Sequence, residues 1–78
     1  MPTVLHNGPY RFYFYSNERN EPPHVHVQRD NSFAKFWLRP TALAGSKRFP
    51  AHELRTIGAI IAAHRIEFLE AWNEHIRR

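Results

Sequence analysis

The sequence predicts an α+β fold, a three-stranded antiparallel meander packed on one face by a long C-terminal helix. Two observations carry this. Residues 10 to 39 are rich in aromatic and β-branched types, with period-two alternation and turn signals between short runs. From residue 50 onward, apolar residues instead recur at helical spacing.

The first strand is drawn from "YRFYFYS", Tyr10 to Ser16, whose aromatics suit a pleated surface. The polar run "SNERNEPP" then turns the chain. "HVHVQ", from His24, alternates strictly and forms the second strand. "DNS" at Asp30 to Ser32 has tight-turn composition, and "FAKFWL" follows as the third strand. Short connections imply antiparallel neighbours. The stretch 40 to 49 is expected to be a connection, leading into a helix over about 50 to 77. Along that helix Leu54, Ile57, Ile61, Phe68 and Trp72 mark the buried stripe. Pro50 suits the first turn, and Glu53 places negative charge near the positive end of the helix dipole. Gly58 weakens the middle of the helix. It predicts close packing against the sheet, and a bend there if the helix divides in two.

All 78 residues form one expected domain, and a chain this short buries only about 60% of the surface its unfolded form exposes. A large enclosed active-site cavity is therefore not expected. With 42% hydrophobic residues and no low-complexity run, the chain should be ordered. The absence of cysteine excludes disulfides, thiolate metal sites and cysteine nucleophiles. No signal peptide and no membrane-spanning run is visible, so the expected location is the cytoplasm, with no membrane partner. The net charge of +4 favours a polyanion or an acidic protein partner.

One helix covers one sheet face, and alternation says which. Val25 and Val27 belong toward the helix, with Phe12 and Phe14 from the first strand and Ala34, Phe36 and Leu38 from the third. His24, His26 and Gln28 then point outward, beside Arg11, Tyr13 and Tyr15 and, from the third strand, Lys35, Trp37 and Arg39. The result is a basic, aromatic, histidine-bearing face.

Two histidines at i and i+2 on a strand lie roughly 6 to 7 Å apart, close enough to flank one group. Cleavage of a phosphodiester without metal needs a base, an acid and a cation for the developing charge. His24, His26 and Lys35 supply those types, with Arg11, Tyr13, Tyr15, Trp37 and Arg39 as residues that contact RNA or a partner. The same residues equally suit a half-exposed strand with cross-strand aromatic pairs. No metal site and no cofactor is expected, because His6, Glu18, Glu21 and Asp30 stand at no diagnostic spacing from the His-x-His pair. His52, His64 and His75 are too far apart for a helical zinc motif. Of these, His64 falls near the apolar stripe, while His52 and His75 should be exposed. A histidine triad is excluded, since Gln28 stands where a third histidine would be needed.

"YRFYFYSNERNEPPHVHV", "AKFWL" and "HELRTIGAIIAAHRIEFLEAWNEH", with "MPTVL" before them, resemble the small bacterial domain-of-unknown-function family numbered 4160. Phe14, Ser16, Glu18, Pro23, His24, His26, Ala34, Lys35, Phe36, Trp37, Leu54, His64 and Trp72 occupy matching positions. Pro50 departs from the helix-capping serine frequent in such sequences. The resemblance implies a gene pair with another small protein, some of whose relatives carry a helix-turn-helix, of a kind treated as candidate toxin–antitoxin modules. This chain would be the toxin-like partner, binding or cleaving RNA through the exposed face. The alternative is a non-catalytic interaction module that docks the antitoxin-like product of the adjacent gene through that face or an edge strand.

Overall fold

The computed structural model describes residues 3–15 and 20–77. Five strands form one antiparallel meander in chain order: β1 (Thr3–Asn7), β2 (Tyr10–Tyr13), β3 (His24–Arg29), β4 (Ser32–Leu38) and β5 (Thr41–Lys47). Two helices follow, α1 (Ala51–Ala63) and α2 (Arg65–Ile76). The α+β class and the antiparallel meander are as the sequence predicts, but the sheet has five strands rather than three and the helix is divided.

The two added strands are the edges of the sheet. β1 turns into β2 through Gly8, whose φ of 58° lies in the left-handed region that glycine enters without a Cβ clash. β5 occupies the stretch expected to be a connection. It pairs with β4 from Phe33↔Lys47 to Leu38↔Thr41, with a bulge beside Lys35 and Phe36. Its residues are exposed almost throughout, so they carry no alternation of apolar and polar types from which a strand could be inferred.

The helical segment breaks at His64, not at Gly58. His64 leaves helical geometry at φ −110°, ψ 18°. Its N–H is shared between the carbonyls of Ile60 and Ile61, and its own carbonyl accepts from Phe68 N–H at 3.0 Å, starting α2. Gly58 stays helical and approaches the sheet, as expected: a Cβ added there would lie 3.5 Å from Phe36 Cε2. Pro50 stands just outside the first turn, as N-cap, with its carbonyl accepting from Glu53 and Leu54 N–H.

The period-two assignment of the covered face holds. Phe12, Val25, Val27, Ala34, Phe36 and Leu38 are buried under Ile57 and Ile61 of α1 and Phe68 and Trp72 of α2, with Leu54 half-buried at the margin. Phe12 meets Phe68 at 5.5 Å between ring centroids, and Phe14, buried just beyond β2, meets Trp72 edge-on at 5.4 Å. Burial of such large rings is the main source of stability in so small a domain.

A polar clasp fixes the start of α1 on this core. Arg29, at the end of β3, donates from Nε to Glu53 Oε1 at 2.9 Å and from its terminal nitrogen to Oε2. Tyr10 of β2 donates its hydroxyl to the same Oε1 at 2.8 Å. Phe49 closes the cluster, with its ring 6.1 Å from that of Tyr10 and 5.8 Å from the Arg29 guanidinium. The hydrogen bonds from Arg29 and then from Tyr10 hold the Glu53 carboxyl below the ordinary carboxylate range. Burial, reinforced by the Glu53 carboxylate, pushes the Tyr10 hydroxyl up.

Two outcomes follow for stability. Gly58→Ala should raise unfolding stability by about 0.5–1 kcal/mol, since the added methyl gains ordinary contact with Phe36 and relieves a mid-helix glycine. A drop in a urea-unfolding midpoint would show that the approach is too close. For the clasp, a depressed carboxylate contributes stability above its unfolded pKa, and that contribution fades as pH falls through the folded one. Glu53→Gln should therefore lower the melting temperature at neutral pH and flatten its decline between about pH 5 and pH 2. An unchanged acid limb in thermal melts of the variant would mean that other carboxylates govern it.

Candidate functional site

The face of the sheet away from α1 is built by registered pairs. Tyr13 of β2 lies opposite His26 of β3, His26 opposite Lys35 of β4, and Lys35 opposite Gly45 of β5, giving one row across four strands. The adjacent row runs Arg11, Gln28, Phe33 and Lys47. Between these rows lies an open groove of about 230 Å³, lined by Tyr13, Tyr15, His26, Phe33, Lys35 and the Gly45–Lys47 segment. Gly45 ends the first row without a side chain, and a Cβ added there would meet nothing within 4 Å. The groove therefore opens toward the β5 edge.

His26 is the hub of the aromatic side of this groove. Its ring stacks on Tyr13 at 5.6 Å and 26°, and meets Tyr15 edge-on at 4.4 Å. Tyr13 is buried beneath, with the Arg11 guanidinium 4.5 Å from its ring centroid, whereas Tyr15 is 40% exposed. Across the groove Phe33 is 36% exposed. These are the two exposed aromatic rings that line the groove. Lys35 Nζ pairs with Glu21 and lies 4.7 Å from the Trp37 ring centroid. That ion pair is partly exposed, so it exchanges readily for another anion.

His24 does not share this groove, and its expected exposure is corrected by the structure. It alternates away from Val25 as predicted and lies opposite Trp37 of β4, yet its ring is wholly buried. Trp72 of α2 covers it at 4.9 Å, with Trp37 at 5.8 Å and His26 at 5.1 Å edge-on. Its Nδ1–H donates to the Pro22 carbonyl at 2.9 Å. A residue contributed by α2, far along the chain, thus removes from solvent a position that alternation assigns to the open face. His75 is likewise half-buried rather than exposed: its Nε2–H donates to the Tyr15 carbonyl at 2.7 Å, and its ring lies 5.2 Å from that of Phe14. It anchors the backbone that carries Tyr15 to the groove.

The remaining candidates divide. Arg11 bonds Thr3 Oγ1 at 3.0 Å beside the groove. Trp37 is half-buried next to Lys35, and Arg39 is exposed in the turn before β5. Phe33, Gly45 and Lys47 were not among the expected site residues. The alternation that places Lys35 and Trp37 outward also places Phe33 there, while Lys47 could be found only by recognising β5. Among the described residues no three of His, Asp and Glu come together to hold a metal ion. Glu18, and Ser16 of the family pattern, lie outside the described residues. No helix among the described residues is long and apolar enough to cross a membrane.

Fold and face together define a small α+β domain whose meander is backed by two helices and whose free face carries a basic, aromatic groove. The chain matches the family described as Domain of unknown function (DUF4160) over residues 10–73, and it belongs to that family. The match spans every groove residue and leaves β1 outside it. No curated protein and no solved structure matches the chain.

The different settings of the two histidines yield a direct test. His24→Ala should cost about 2 kcal/mol or more of stability, as expected when a buried ring is deleted. His26→Ala, removing a half-exposed ring, should cost less, about 1 kcal/mol. Equal costs in chemical denaturation would place both rings in one environment, against the structure.

Proposed function

We propose that this protein binds single-stranded RNA in the groove of its free sheet face. The observation that carries this reading is the pairing of the exposed rings of Tyr15 and Phe33 with the ammonium groups of Lys35 and Lys47 around one open cleft. Single-stranded nucleic acid is held in this manner by many proteins: flat rings stack on bases, and cations follow the phosphates. His26 lies between the two functions, with its ring supported by Tyr13. The net positive charge of the chain favours the encounter.

The geometry supports binding over cleavage. An acid–base pair needs both members within reach of the reacting oxygens, and Trp72 and Trp37 cover His24. A toxin-like role in a bacterial gene pair, as the family resemblance implies, is compatible with RNA sequestration as well as with RNA scission.

Fluorescence anisotropy with a labelled single-stranded oligonucleotide, titrated across salt concentrations, tests the proposal. Lys35→Ala and Lys47→Ala should each reduce the log–log salt slope by about 0.7. Tyr15→Ala and Phe33→Ala should cost about 1–3 kcal/mol with little change in slope. Gly45→Leu should obstruct the groove while leaving the fold intact. Absence of binding at low salt, or equal losses from Arg55→Ala on α1, would remove the groove from consideration. Cleavage abolished by His26→Ala in a folded variant would restore a catalytic reading.

A further inference from the structure

The groove ends at a free sheet edge, and that edge has a chemistry of its own. β5 pairs with β4 on one side only, and six of its seven residues are exposed. Sheet edges are ordinarily shielded by charge, proline or bulges, because their unpaired N–H and C=O groups template a further strand. In β5 the shields sit at the ends: Pro40 precedes the strand and Lys47 closes it. Between them Thr41–Ser46 carries neither charge nor proline, and Leu43 is 46% exposed. The bulge makes Ala44 the extra residue between the partners of Lys35 and Phe36. It divides the edge into two short pairing stretches, which discriminates against an arbitrary strand without abolishing pairing.

The charges around this edge select the occupant. From Asn31 to His52 the chain contains Lys35, Arg39, Lys47 and Arg48 and no Asp or Glu. Arg39 stands exposed before β5, Lys47 stands exposed at its end, and Arg48 stands exposed just after it. A second copy paired antiparallel about Ala44 would set Arg39 opposite Phe49 and Pro40 opposite Arg48, leaving Arg39 of each chain one register position from Arg48 of the other and crowding like charge at both ends. An acidic strand would meet a cation at each end instead.

We infer that the β5 edge binds an extended acidic segment of a partner protein by strand addition, extending the meander to six strands. Backbone hydrogen bonds along Thr41–Lys47 supply affinity, and Arg39, Lys47 and Arg48 supply selectivity for carboxylates. The site shares Lys47 with the RNA groove but takes its affinity from main-chain groups in the plane of the sheet, whereas the groove binds through side chains on the face. A segment seated there would nevertheless border the open end of the groove at Gly45.

The test uses the full chain and a short capped peptide alternating valine with glutamate, beside the same peptide N-methylated at alternate amides. Methylation preserves charge and side chains but abolishes strand pairing. The unmodified peptide should slow hydrogen exchange of β5 amides by about tenfold or more at saturation, and Leu43→Glu, away from the groove, should weaken it by about tenfold. The methylated peptide should give no protection. Equal binding of the two peptides, protection confined to Tyr13, Tyr15 and His26, or no binding at millimolar peptide would overturn the inference. Protection of β5 that rises with protein concentration without peptide would assign the edge to a second copy. None of these readouts involves RNA, so failure of the groove proposal leaves the edge result standing.

Discussion

The helices of this chain cover the sheet on one face. Everything notable about the free face follows from how that limited cover is distributed. Val25 and Val27 of the central strand go under α1 and α2 with Phe12 and Phe36, and β geometry then forces His26 and Lys35 to the opposite side. The clasp of Arg29 and Tyr10 on Glu53 fixes where α1 begins over the sheet, and Phe36 meets Gly58 further along that helix. The groove is the reverse side of that arrangement. A slip of one residue in β3 would exchange the valines for the histidines and abolish core and groove together.

The break at His64 gives the cover a second direction. With the helix divided, α2 lays Phe68 on Phe12 and Trp72 against both Phe14 and His24. The same helix holds the Tyr15 carbonyl through His75. One side of the candidate site is thus set by α2, while the opposite side is set by the β4–β5 hairpin. Tyr15 and His26 are positioned by packing, whereas Lys35 and Lys47 are positioned by register. This division separates a rigid aromatic side from a more solvated cationic side, an arrangement that suits stacking on the one and phosphate attraction on the other.

Much of this was legible in the sequence, and the exceptions have physical causes. The alternation of "HVHV" and "FAKFWL" was enough to assign Val25, Val27, Phe36, His26 and Lys35 to their faces, because one face of each strand is buried. β5 was illegible for the converse reason: "TALAGSK" is an exposed edge, and an element with little buried surface need not write a pattern into its residues. Gly58 drew the expected helix break because glycine permits one, but permission is not a requirement. The shared N–H and the non-helical torsions fall at His64, a residue with no special tolerance for them. His24 was assigned to the right face and the wrong environment. Its burial depends on Trp72, a contact between residues 48 apart in sequence that no local spacing encodes. The Arg29–Glu53 clasp is hidden in the same way, since Glu53 already had a sufficient local role at the helix dipole.

The distribution of charge connects the two surfaces proposed for binding. Cations on β4 and around β5 have no acidic neighbour in the chain from Asn31 to His52, whereas Arg29, just outside that window, is already committed to Glu53. The domain therefore uses one arginine to hold its helix and leaves a cationic hairpin facing outward, with Glu21 reaching Lys35 from the loop before β3. An internal carboxylate at the rim of a cationic groove acts as a weak competitor for external anions. It lowers the affinity for a single phosphate or carboxylate more than for a polyanion, which can occupy Lys47 and the flanking arginines while displacing Glu21. Under both proposals, the hairpin itself therefore favours extended anionic ligands over small anions, before any sequence-specific contact is made.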